Sequence, residues 1–108
     1  TGDNIFIIAG DTLYTPPIYA GILKGTKREV VLEIAAEMGL EVREELFTRH
    51  DIFNADECFL SGTAAEVIPV VEVDSRKVGD GEVGDKTTEL IAKFREIANS
   101  TGKEIYTD

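Results

Sequence analysis

The 108-residue sequence has no tryptophan, one cysteine (Cys58), one histidine (His50), one methionine and three prolines. A single Cys and a single His exclude a disulfide framework and a Cys/His zinc centre, and no metal site is expected. No apolar run approaches the roughly 18 residues of a membrane-spanning helix. The chain also shows neither an initial Met nor the basic n-region of a signal peptide, so its beginning reads as cut. Cations are scarce too: 11 Lys+Arg stand against 21 Asp+Glu, a formal charge of −10 with a pI near 4.5. Such a field repels phosphate backbones and anionic lipid surfaces, which argues against nucleic-acid and membrane partners. The reduced lone cysteine fits a cytoplasmic setting.

What is present is the composition of a folded domain, with 43% hydrophobic and 30% charged residues, rather than that of a disordered acidic tail. The length supports one ordinary core and leaves no room for a second, so residues 1–108 are expected to form a single domain. The acidity is concentrated in the middle: residues 40–74 carry 9 acidic and 2 basic side chains.

Ile5 to Ile8 is a β-rich run, Gly10-Asp11 a turn, and Thr12 to Thr15 a returning strand. Pro16-Pro17 stops strand pairing. Thr26 followed by Glu29 has the spacing of a capping box, and Val30, Val31, Ile34, Ala35 and Met38 then repeat at helical spacing until Gly39. Leu40, Val42 and Leu46 suggest a half-buried strand. Thr48 with Asp51 three residues on caps a short helix reaching about Ala55. Cys58-Phe59-Leu60 and Val67 to Val73 read as strands, with Pro69 favouring an edge, a bulge or a crossing point. Leu90, Ile91, Phe94, Ile97 and Ala98 mark a last amphipathic helix that Gly102 can end. The layout predicts an α+β (α/β-like) fold: a mixed β-sheet or partial barrel carrying two main amphipathic helices and one short helix.

Two segments carry potential chemistry. Ser61-Gly62-Thr63-Ala64-Ala65-Glu66 places small residues after an apolar strand, so that backbone N–H groups and two hydroxyls can converge on an anion; the same composition also suits a tight turn. It is not a G-x-S-x-G nucleophile elbow. Gly21-Ile22-Leu23-Lys24-Gly25-Thr26-Lys27-Arg28 delivers three cations to a helix N-terminus, where the macrodipole favours an anion. A P-loop is excluded, because three residues rather than four separate Gly21 from Gly25 and Thr26 intervenes before Lys27. The plainer reading of that segment is a capped helix with solvated cations. His50 reads as a surface residue of the cap segment, and Cys58 as a small buried strand residue.

These segments, together with Asn4-Ile5-Phe6-Ile7, Leu13-Tyr14-Thr15-Pro16-Pro17, Ile68-Pro69-Val70, Asp74 and Lys77-Val78-Gly79-Asp80-Gly81, resemble the C-terminal part of fold-type IV pyridoxal-phosphate aminotransferases. The likeness covers nearly the whole chain and is strongest to branched-chain amino acid aminotransferases. Relatives acting on D-amino acids or on aminodeoxychorismate share the scaffold, and Gly62 with Ala64-Ala65 leans toward the branched-chain group.

The resemblance implies pyridoxal 5'-phosphate (PLP) as cofactor, amino acid and 2-oxo acid substrates, and a homodimeric intact enzyme. It implies that Thr63 donates its hydroxyl to the cofactor phosphate beside the backbone N–H groups of Thr26 and Lys27, with Gly62 in the same cup. It further implies that the backbone around Thr63, Ala64 and Ala65 receives the substrate carboxylate. Lys27 departs from the family's Gly-Ile-Thr-Arg pattern, which has Thr at that place. The family's Schiff-base lysine lies upstream of the matched segment, so the N-terminal domain and every catalytic residue are expected to be absent from this chain, and Lys24 and Lys27 sit on the phosphate side. The rival expectation is a stand-alone, non-catalytic domain that binds an anion or a partner.

Overall fold

The structure, a computed structural model, describes residues 4–17, 26–61 and 67–101, with the backbone alone for Thr26, Lys27 and residues 98–101. Strands β1 (Asn4–Ala9) and β2 (Thr12–Thr15) form the expected hairpin, with Gly10 at φ +62° in the turn, a conformation glycine adopts without steric cost. Helix α1 (Thr26–Glu37) then leads to β3 (Glu41–Glu44), which pairs parallel with β2. A parallel pair needs a crossover, and α1 supplies it. Helix α2 (Arg49–Asn54) precedes β4 (Glu57–Ser61) and β5 (Val67–Pro69), and both strands run antiparallel to their neighbours. The resulting sheet is mixed, in the order β3-β2-β1-β4-β5. A small hairpin, β6 (Glu72–Val73) with β7 (Arg76–Lys77), follows, and α3 (Asp85–Thr101) closes the described chain.

The sheet is buried on both faces by alternation along its strands. Phe6 and Ile8 of β1, Leu13 of β2 and Phe59 of β4 pack with Val31, Ile34 and Ala35 of α1 and Leu90 and Phe94 of α3. Phe6 and Phe59 are register partners and stack with centroids 4.9 Å apart. On the opposite face Ile7, Ala55, Cys58 and Val78 form a second cluster, flanked by Tyr14, Phe47, Ile52 and Val70.

The capped short helix is present as expected. Thr48 Oγ1 accepts the Asp51 N–H at 3.2 Å and Asp51 Oδ2 accepts the Thr48 N–H at 2.8 Å, a complete capping box. Pro69 lies on an edge strand, where its missing N–H costs no ladder bond. Three expectations need adjustment. Thr26 is already the first helical residue of α1 rather than the residue before it, and its side chain is outside the described set. Leu46 is 69% exposed, since β3 is an edge strand that ends at Glu44. Val67 to Val73 is not one strand, because the chain leaves the sheet after Pro69 and turns back through Asp74 and Ser75, both at positive φ.

Candidate anion-binding site

Strand direction decides which segments meet. β1 runs antiparallel to both β2 and β4, so its first residues lie beside the last residues of each: Asn4 is opposite Ser61, and Thr15 Oγ1 donates to the Ile5 carbonyl at 2.8 Å. β3, parallel to β2, ends at the same side with Glu44 opposite Thr15. The strand ends that flank residues 18–25 and residues 62–66 are therefore at one end of the sheet. β2 and β4 are separated there by β1 alone, which puts their ends about 10 Å apart at ordinary strand spacing.

The first turn of α1 is fixed at this same end. Arg28 lies on the helix's buried stripe, three and seven residues before Val31 and Ala35, and is 2% exposed. Its Nη2 donates to the Pro16 carbonyl at 3.2 Å and to Glu44 Oε1 at 2.9 Å, and Nη1 lies 3.8 Å from the Glu29 carboxylate. Its Nε is buried without a hydrogen-bond partner among the described residues. Ser61 at the end of β4 is fully buried, and its Oγ also has no partner among the described residues. The N–H groups of a helix's first turn have no intrahelical acceptor and carry the positive end of the macrodipole.

Of the residues singled out in the sequence, Thr26 and Lys27 occupy the first two positions of α1, where their backbone N–H groups belong to that unsatisfied set. Gly62, Thr63, Ala64 and Ala65, with Lys24, lie outside the described residues. His50 is exposed, with Nε2 2.9 Å from Asn54 Nδ2, and Cys58 is buried on the second apolar face. Burial pushes the Cys58 thiol up to about 11, which leaves it protonated and unreactive near neutrality. Neither residue is placed at the end of the sheet where α1 begins.

Sequence reasoning missed Arg28 as an anchor, although extending the apolar spacing of α1 back one turn reaches it. It also missed Glu57, a largely buried carboxylate of β4 that accepts the Lys86 and Thr87 N–H groups at 3.3 and 2.7 Å and so caps α3. A groove of about 300 Å³ on the α2 side is lined by Ile7, Tyr14, Leu46 and Phe47, away from α1. No group of three or more His, Cys, Asp or Glu placed to hold a metal occurs among the described residues. No helix among them is long and apolar enough to cross a membrane.

The mixed α+β fold is shared with solved aminotransferase structures. Residues 1–73 match the class IV amino-transferase family. A putative branched-chain-amino-acid aminotransferase of Methanocaldococcus jannaschii is 49% identical over 106 residues, which is 98% of this chain and 37% of that protein. The branched-chain-amino-acid aminotransferase of Escherichia coli K12 is 41% identical over 93 residues, 86% of this chain and 30% of that one. Among solved structures, the E. coli branched-chain amino acid aminotransferase superposes with a TM-score of 0.81 at 40% identity, over 89% of this chain and 32% of that one. The branched-chain amino acid aminotransferase from Thermobaculum terrenum, in its PLP-bound holo form, gives 0.83 at 34% identity, over 97% of this chain and 34% of that one. The chain belongs to the class IV aminotransferases. It spans about a third of the length of these relatives.

Proposed function

We propose that residues 1–108 are the C-terminal, cofactor-phosphate-binding part of a PLP-dependent transaminase that exchanges an amino group between branched-chain L-amino acids and a 2-oxo acid, working as a cytoplasmic homodimer. The observation that carries this reading is the convergence of the α1 N-terminus with the ends of β2 and β4, at which a buried Ser61 hydroxyl lacks a partner among the described residues. Two backbone N–H groups from Thr26 and Lys27 at a helix start suit a phosphate, and the family resemblance adds the Thr63 hydroxyl and the Gly62 backbone as further donors. When bound, PLP supplies an electron sink for charge developing at the substrate Cα.

The chain's part in the reaction is binding and orientation. The phosphate anchor fixes the cofactor at a point remote from the reacting carbon. Backbone N–H groups around Thr63, Ala64 and Ala65 take the substrate carboxylate, and together the two anchors align the Cα–H bond for cleavage. None of the chain's lysines is assigned to bond covalently with the cofactor; Lys24 and Lys27 serve the phosphate side, and the Lys27 ammonium stands where the family pattern has a threonine.

The test compares PLP with pyridoxal, which lacks the phosphate, as ligands of this chain. The wild type should prefer PLP, and Thr63→Ala should lower the PLP affinity about tenfold while leaving pyridoxal unaffected. A Thr63→Ala variant that binds PLP as the wild type does would overturn the cup. A borohydride-reducible adduct confined to Lys24 or Lys27 would overturn the assignment of those lysines.

A further inference from the structure

Arg28 is unusual among the described cations. It is 2% exposed, sits in the first turn of α1 and reaches two separate strand ends with one guanidinium nitrogen: the Pro16 carbonyl after β2 and the Glu44 carboxylate closing β3. Burying a cation is costly unless its donors are met, yet Nε has no partner among the described residues and the Glu29 carboxylate on its own helix is 3.8 Å from Nη1. A leucine at this position of the apolar stripe would pack without that cost. The arrangement does one thing that a leucine could not: it ties the first turn of α1 to Pro16, just past the end of β2, and to Glu44 of β3.

We infer that Arg28 is a positioning residue for the phosphate cup: through its fork to Pro16 and Glu44 it sets where the Thr26 and Lys27 N–H groups point. The inference rests on the proposed phosphate-holding role of that turn and adds what holds the turn in place. Thr26 and Lys27 immediately precede Arg28, so a shift of its Cα moves both donors directly. A planar guanidinium is suited to this because it engages two acceptors at fixed angles, whereas an ammonium is a point charge on a flexible stem. Glu44 is half-exposed and so can be altered without opening the core.

The experiment measures the affinity of this chain for PLP and for pyridoxal in the wild type, Arg28→Lys and Glu44→Ala, with the melting temperature of each recorded and binding read well below it. Arg28→Lys keeps the charge and loses the fork; it should reduce the wild type's preference for the phosphorylated ligand about tenfold, with pyridoxal affinity unchanged. Glu44→Ala removes one acceptor and leaves the other, and should reduce the same preference about threefold. It also carries the test should the lysine variant not fold. A purely structural role would lower the melting temperature without changing the ratio of the two affinities. Preservation of that ratio in both variants, or equal loss for both ligands, overturns the inference and leaves the proposed function standing. A wild type with no preference for PLP over pyridoxal overturns both.

Discussion

Glu57, the first residue of β4, accepts the backbone N–H of Thr87 in the first turn of α3 at 2.7 Å and that of Lys86 at 3.3 Å. A strand side chain thus performs the service that a helix usually obtains from its own N-cap residue, and places a carboxylate at the positive end of the α3 macrodipole. Removing it leaves buried N–H groups unmet. Glu57→Ala should cost about 1–3 kcal/mol of unfolding free energy. Glu57→Gln, which retains an acceptor but not the charge, should cost less. Urea denaturation followed by circular dichroism measures both, with unchanged m-values expected if the fold is kept.

Two glycines near this contact should respond differently to alanine. At Gly84 an added Cβ would overlap the Glu57 carboxyl, the end of a flexible side chain. Glu57 can move aside, but only by giving up the α3 cap, so Gly84→Ala should approach the cost of Glu57→Ala without adding to it in the double variant. At Gly79 φ is +58° and the Cβ would overlap the Asp56 carbonyl, which is backbone and cannot yield. Gly79→Ala should therefore be the worse substitution, by about 3 kcal/mol relative to wild type. Equal melting temperatures for the two alanine variants would contradict this account.

The stacked pair Phe6–Phe59 joins the two central strands beneath both long helices. Each ring is wholly buried. Phe59→Ala should destabilise by about 3–5 kcal/mol through lost transfer energy and the cavity left behind. Phe59→Leu keeps more of the volume and should cost less. A cycle with Phe6→Leu should reveal a favourable coupling of about 1 kcal/mol between the rings, and a coupling near zero would mean that the stacking adds nothing beyond burial.

The local code was readable wherever one segment decides the outcome. The hairpin at Gly10-Asp11, the stripe of α1, the Thr48–Asp51 box and the stripe of α3 each follow from a few neighbouring residues. What could not be read depends on distant segments meeting. Arg28 resembles a solvated cation until β2 and β3 bring Pro16 and Glu44 to it, and Glu57 resembles a surface acid until α3 begins beside it. The β6–β7 turn hid for another reason. Asp74 and Ser75 both take positive φ without the glycine that usually announces such a turn; Asp74 is held by an ion pair to Arg49 at 2.8 Å, while Arg76 lies 4.1 Å over the Phe53 ring, and these two contacts pin the hairpin to α2. The candidate site was legible to the same extent. The sequence named both anion-ready segments, and the sheet's strand directions supplied the fact that their flanks share one end.

Cys58 provides a prediction in which pH is the variable. The residue is 3% exposed, and burial raises its thiol from an ordinary value of 9.0 to about 11 in the folded chain. The folded state therefore holds the proton more tightly than the unfolded state. Stability from this source is complete below pH 9, declines as the unfolded thiol ionises above that point, and stops declining once the folded thiol also ionises near pH 11. Cys58→Ala should abolish this component of the alkaline loss, although it shortens a side chain packed against Ile7, Ala55 and Val78. At pH 8 a thiol reagent should modify the native protein far more slowly than the chain unfolded in guanidinium, and the native rate should track the opening equilibrium, falling about tenfold for each 1.4 kcal/mol of added stability. Rapid stoichiometric labelling of the native protein at pH 8 would show that the second apolar face is open to solvent at Cys58, contrary to the packing described for it.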